Sequence, residues 1–166
     1  MKPLDKELEK EKFIFGCIFL FANKLQTIGD RFDKDITMKQ WLLIICILNT
    51  KECSPTLSEA AEFMGCSRQN VKKLALNLEA KGLINIGNDS KSVRLTLTEK
   101  CNTFFERRKK TEDIFIEDLF KDLTKTDINN LYNCFSKFLN TVTEMDQKSK
   151  VGFNYGKLEN LLDSED

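Results

Sequence analysis

"TLSEAAEFMGCSRQNVKKLALNLEAKGLI", residues 56–84, holds two helix signatures joined by a tight turn. Thr56 followed three residues later by Glu59 is a capping box, and it opens the short helix "LSEAAEFM". Gly65 is placed to end that helix in a left-handed conformation, and Cys66 completes the turn. Ser67 is a good N-cap for the next helix. There Val71, Leu74, Ala75 and Leu78 follow the i, i+3, i+4, i+7 spacing of a buried face. Gly82 supplies the next stop, with Leu83 positioned for the apolar contact that accompanies it.

Downstream, "LINI" (83–86) and "VRLTL" (93–97) read as short strands around the turn formers of "GNDSK" (87–91), a β-hairpin. Thr98 then caps a long helix reaching about Leu123. Another helix starts near Thr126, with Leu131, Phe135, Phe138, Leu139 and Val142 at helical spacing. Upstream, residues 4–32 are helix-compatible, with Gly29 as an expected end. Thr37 and Gln40 form a second capping box before the apolar run Trp41–Leu48, and Ile36 can staple against Trp41. The expected fold is mainly α with a small β-hairpin wing: a winged helix-turn-helix flanked by long N- and C-terminal dimerisation helices. Its expected segments are an N-terminal helix (1–36), a DNA-binding lobe (37–101), C-terminal helices (102–150) and an acidic tail (151–166), where "LENLLDSED" could add one more helical turn.

Composition narrows the function. Two prolines and seven glycines in 166 residues favour helices over a turn-rich β fold. The apolar run "FIFGCIFLFA" (13–22) is half the roughly 20 residues a membrane span needs, and no cleavage site follows it. A soluble, cytoplasmic chain with no membrane partner is expected. Histidine is absent, so no Ser-His or Cys-His nucleophile exists, and no Gly-rich phosphate loop occurs; the sequence points away from an enzyme. The six cysteines form no C-x-x-C pair, so neither a metal nor any cofactor is expected.

The net charge is zero, but its distribution is uneven. Between Gly65 and Leu95 stand Arg68, Lys72, Lys73, Lys81, Lys91 and Arg94 against Glu79 and Asp89 alone. From Glu112 to Asp127 the balance reverses. A locally basic helix-turn-helix is the electrostatic footprint expected for double-stranded DNA. On the helical wheel Gln69, Lys72, Lys73 and Asn77 lie opposite the buried face. Arg68, Gln69, Asn70, Lys72 and Lys73 are the candidates for groove contacts, where amides suit adenine and cations suit guanine. Ser58, Lys91 and Arg94 are candidates for the backbone. Charges on an amphipathic helix are more commonly a plain solvated face, so a winged-helix protein-interaction module that does not read DNA stands as the alternative. Leu76 falls toward the DNA side, to touch a thymine methyl or to pack on a neighbouring element. Finally, Phe13, Phe15, Phe19, Phe21, Phe115, Phe120, Phe135 and Phe138 give the terminal helices more apolar surface than a hairpin can cover. Either these helices pack on each other, or a second copy of the chain covers them.

These residues resemble the MarR family of bacterial transcriptional regulators, most specifically from Leu57 to Lys100. The matching features are Leu57 leading the short helix, Ser67-Arg68 opening the next, the exit "LEAKGLI" (78–84) and the wing closing in "LTEK" (97–100). The resemblance implies a homodimeric regulator, a repressor in the usual form, whose paired helices enter successive major grooves of a pseudo-palindromic operator. It implies that Ser67 and Asn77 belong to the DNA-binding set. It also implies release by a small aromatic or phenolic effector, for which Phe19, Phe32 and Trp41 are candidate pocket residues. The sequence departs from the pattern in its wing, which is shorter than usual: Asp89 matches the family's aspartate, but Lys91 stands for its arginine. A lysine lacks the planar guanidinium fork. Asn77 replaces a common arginine and Cys101 a common glycine. Cys17 resembles the reactive cysteine of the family's peroxide-sensing branch, although the apolar run around it suits a small buried hydrophobe better than a thiolate. Cys66, in the turn, is a weaker redox candidate.

Overall fold

The computed structural model describes residues 9–50, 53–89 and 92–150. Eight elements follow in order: α1 (Lys10–Phe32), α2 (Met38–Asn49), α3 (Leu57–Met64), α4 (Arg68–Ala80), β1 (Ile84–Asp89), β2 (Ser92–Leu97), α5 (Glu99–Phe120) and α6 (Lys125–Lys150). The chain divides into two compact units between Arg108 and Lys109, within α5. The expected helix at 4–8 and the tail at 151–166 lie outside the described residues.

The first unit is built by its caps. Thr37 Oγ1 accepts from Gln40 N–H (3.2 Å) while Thr37 N–H donates to Gln40 Oε1 (3.0 Å). Thr56 and Glu59 repeat the arrangement at 3.2 and 2.6 Å, and the Glu59 carboxyl is held below its ordinary pKa by the Thr56 N–H first and the Thr56 side chain second. Gly65 takes φ 60° and closes α3, with the Cys66 N–H donating to the Ala61 carbonyl at 3.0 Å. Gly82, at φ 72°, ends α4, and the Leu83 N–H donates to the Leu78 carbonyl at 3.0 Å.

One core unites these elements. Leu43, Ile44 and Ile47 from α2, Leu57 and Ala60 from α3, Val71, Ala75 and Leu78 from α4, and Ile84 and Leu95 from the hairpin are all buried together. Ile36 is buried here too, and Trp41 packs against the cluster from its edge. Leu74, expected on the buried face, is only half-buried. Cys46 and Cys101 also lie in this core, and burial pushes both thiols above the ordinary value of 9.0. They are small core hydrophobes.

Three boundaries differ from the sequence reading. Gly29 does not end α1: the helix continues to Phe32, and Gly29 is buried where a Cβ would overlap the Met38 side chain. It is a glycine of close approach between α1 and α2. Gly87, Asn88 and Asp89 lie in β1, not in the turn, and pair with Arg94, Val93 and Ser92. α6 begins at Lys125, as expected near Thr126, and Thr124 caps it, accepting from Asp127 N–H at 3.2 Å while its own N–H donates to Asp127 Oδ2 at 2.9 Å. The Thr124 hydroxyl, donating to Asp127 Oδ2 at 2.6 Å, and then the Thr124 N–H hold the Asp127 carboxyl below its ordinary pKa. α5 stops at Phe120, short of Leu123.

Apolar side chains are left outside this core in both units. On α1, Phe15, Phe19 and Phe21 are 65%, 58% and 59% exposed; in the second unit, α6 buries no residue. Among the described residues no helix is long and apolar enough to cross a membrane, and no cluster of cysteines and carboxylates could hold a metal.

The Gly29–Met38 contact is testable by substitution. Gly29→Ala is expected to cost about 1–3 kcal/mol of unfolding free energy by overpacking. Met38→Ala in the same chain should return part of that loss, as read by chemical denaturation.

Candidate nucleic-acid interface

The candidate interface is the outer face of α4 and what borders it. Ser67 fixes the helix start, its Oγ accepting from Asn70 N–H at 3.2 Å. Since Val71, Ala75 and Leu78 are fully buried, the 100° step of the helix sends the intervening residues outward. Arg68, Gln69, Asn70, Lys72, Lys73 and Asn77 are all exposed.

They form two flanks. Arg68, Gln69, Lys72 and Leu76 line a groove of about 380 Å³ between α4 and the hairpin, which Leu57, Ile86, Asn88 and Val93 complete. Asn70, Lys73 and Asn77 line another of about 390 Å³ on the opposite side, shared with Lys39 and Leu42 of α2 and with Met64, Gly65 and Cys66. α4 is therefore a ridge of amides and cations between two grooves. Lys39 is the residue that sequence reasoning misses. Its place near the start of α2, one turn before the core-facing Leu43, marks it as a helix-surface lysine, but only tertiary packing shows that it faces Asn70 and Lys73.

The hairpin is held against α4. The Ile86 N–H donates to Glu79 Oε1 at 3.0 Å, and Thr98 Oγ1 donates to the Gly82 carbonyl at 2.8 Å while accepting from Cys101 N–H at 3.2 Å. Arg94, a candidate for the nucleic-acid backbone by charge and position, is half-buried, and its Nη1 donates to the Ser54 carbonyl at 2.7 Å. Thr56 bridges to Arg94, and the Leu95 N–H donates to the Pro55 carbonyl at 2.9 Å. Arg94 thus ties β2 to the start of α3. Ser58 is exposed on α3. Lys91 lies outside the described residues.

The remaining candidates are apart from this face. Cys17 is half-buried on α1. Phe19 and Phe32, 58% and 43% exposed, are thirteen residues apart on α1, which turns them roughly 220° from each other. Trp41 packs on the core instead. The three do not share a pocket within the chain, because an unbroken helix cannot point both phenylalanines at one place.

A short helix, a tight turn, a second helix with an exposed polar face and an adjoining two-stranded hairpin define a winged helix-turn-helix. Known structures carry the match further. A MarR protein from Peptoclostridium difficile superposes with a TM-score of 0.72 at 19% identity, covering 90% of this chain and 98% of that one. Sco3205, a MarR family transcriptional regulator from Streptomyces coelicolor in complex with DNA, gives 0.66 at 14% identity, covering 84% and 92%. Bordetella bronchiseptica BpsR, described for regulation of its DNA binding by 6-hydroxynicotinic acid, gives 0.63 at 14%, covering 83% and 99%. No protein-family model and no curated protein sequence matches. The chain has the MarR-type winged-helix fold.

Arg94→Ala is expected to cost about 1.5–3 kcal/mol of stability, the range for a hydrogen bond made by a charged group. Denaturant midpoints measured without DNA check this; an arginine that served only phosphates would leave the midpoint unchanged.

Proposed function

We propose that this chain is a sequence-specific DNA-binding transcriptional regulator, a repressor that acts as a homodimer on a pseudo-palindromic operator. The observation that carries the reading is the division of α4. Its inner face is committed to the core through Val71, Ala75 and Leu78, and its outer face presents Arg68, Gln69, Asn70, Lys72, Lys73 and Asn77 uncovered between two grooves. B-DNA's major groove admits a helix of this size, and these side chains supply donors and acceptors for base edges and cations for phosphates. The structural neighbour determined with DNA supports the same reading.

The homodimer rests on exposed apolar surface. Phe15, Phe19 and Phe21 on α1 are each more than half exposed, and so are Tyr132, Phe135 and Leu139 on α6. A second copy of the chain covers such surface with like residues, as homodimer interfaces do. Two α4 helices then enter grooves about one helical turn apart.

Release from DNA follows a small aromatic or phenolic effector or an oxidative signal. A neighbour whose DNA binding a hydroxynicotinic acid regulates supports the first. An effector pocket using both Phe19 and Phe32 needs residues of the second chain. The oxidative route runs through Cys17, half-buried on α1.

Titration of duplex binding against salt tests the main reading. The logarithm of affinity should fall linearly with the logarithm of salt concentration, and Lys72→Ala with Lys73→Ala should flatten the slope by about 0.9 for each phosphate no longer neutralised. No binding at low salt would instead favour a protein-interaction module. For the oxidative route, Cys17→Ser should abolish peroxide-induced release of a bound duplex; release that continues in the variant rejects Cys17 as the sensor.

A further inference from the structure

We infer that Leu76 is a specificity-determining residue that reads the 5-methyl group of a thymine, with the groove between α4 and the hairpin as the surface that receives the DNA edge. This rests on the DNA-binding reading above and sharpens it from charge to sequence.

Leu76 is 49% exposed in the middle of the recognition helix. A single exposed leucine needs no explanation. This one is not single. It shares its groove with Ile86 and Val93, half-buried on the hairpin, and with Leu57 at the base. The same groove is bordered by Arg68, Gln69, Lys72 and Asn88. An apolar strip edged by two cations and two amides does not suit an apolar protein partner, which would have to desolvate both charges. It suits a polyanion that carries an isolated methyl group among hydrogen-bonding edges. In the major groove only the A·T pair offers that combination: the thymine methyl beside its O4 acceptor and the adenine N6 donor.

Helix geometry places the contact. A helical side chain leans toward the N-terminus and covers the surface over the preceding turn. Leu76 therefore reaches back toward Lys72, its i−4 neighbour on the same flank. The two side chains present a cation and an apolar surface to neighbouring points along the groove. Gln69 lies about two turns earlier on that flank and is suited to an adenine edge. The combination favours an A·T step in each half-site, with its thymine methyl against Leu76.

Replacing thymine by deoxyuridine removes that methyl and leaves every hydrogen-bonding group in place. Duplexes are first selected from a random pool with the full-length wild-type chain. Each thymine of the selected sequence is then replaced in turn, and affinities are measured by fluorescence anisotropy for wild type, Leu76→Ala and Leu76→Asn. Because Leu76 is half exposed and outside the core, both variants should keep the wild-type circular dichroism spectrum. At one thymine per half-site the replacement should weaken wild type by about fourfold, the value of one buried methyl group. Both variants should bind the thymine duplex more weakly and be indifferent to the replacement.

If wild type binds selectively but no thymine shows a Leu76-dependent methyl effect, the inference is overturned and the DNA-binding reading stands. The same holds if Leu76→Ala leaves affinity and selectivity unchanged, which would give the groove another occupant. If wild type selects no duplex, both fall together.

Discussion

The fold depends on burial of one side of α4. Val71, Ala75 and Leu78 are fully buried among residues of α2, α3 and the hairpin, and α4 packs against all three elements. This burial fixes the rotation of the helix about its own axis, and with it the direction of every residue on the opposite side. A methylene buried here contributes on the order of 0.8 kcal/mol. Turning α4 by even one residue would expose these side chains and bury Lys72 or Lys73, at a cost of several kcal/mol for each unpaired charge. The exposed polar face of α4 is thus a consequence of the core.

A second constraint holds the junction of α1 and α2 within the same unit. Asp33 Oδ1 accepts from the N–H groups of Asp35 (2.8 Å) and Ile36 (3.2 Å), and its carboxylate receives both Arg108 Nη atoms, at 2.5 and 3.1 Å. Arg108 also lies over the Phe104 ring at 4.9 Å. The Arg108 and Asp33 side chains are only 17% and 10% exposed, and Arg108 Nη1 also reaches Asp35 Oδ2 at 3.4 Å, so removing Arg108 would leave the Asp33 carboxylate without its counter-charge. Asp30 adds a bond from the Met38 N–H at 2.7 Å, beside the close approach of Gly29. The base of α2, which presents Lys39 to the interface, is in this way tied to α5.

Much of this was legible in the sequence because it is local. Two capping boxes, the glycine after α3, the glycine after α4 and the i, i+3, i+4, i+7 face each lie within a few residues, and each appears where its spacing put it, except that Leu74 is only half-buried. What was not legible depends on distant partners. Gly29 resembles a helix stop by composition, and only the position of Met38 makes it a contact glycine. Gly87 to Asp89 are turn formers by type, yet strand pairing extends until only residues 90 and 91 separate β1 from β2. Arg94 has the charge of a phosphate ligand, but its bond to the Ser54 carbonyl spans forty positions. Lys39 has no sequence feature that separates it from other exposed lysines. Helical periodicity already turns Phe19 away from Phe32, so one face of α1 cannot carry both.

Two copies of α4 sitting in two major grooves would leave a distinct pattern of methylation interference on a selected duplex, because dimethyl sulfate marks guanine N7 in the major groove and adenine N3 in the minor groove. The expected result is two zones of N7 interference, centred about 10–10.5 base pairs apart and symmetric about the operator centre. A single zone, or interference confined to the minor-groove positions, would contradict it.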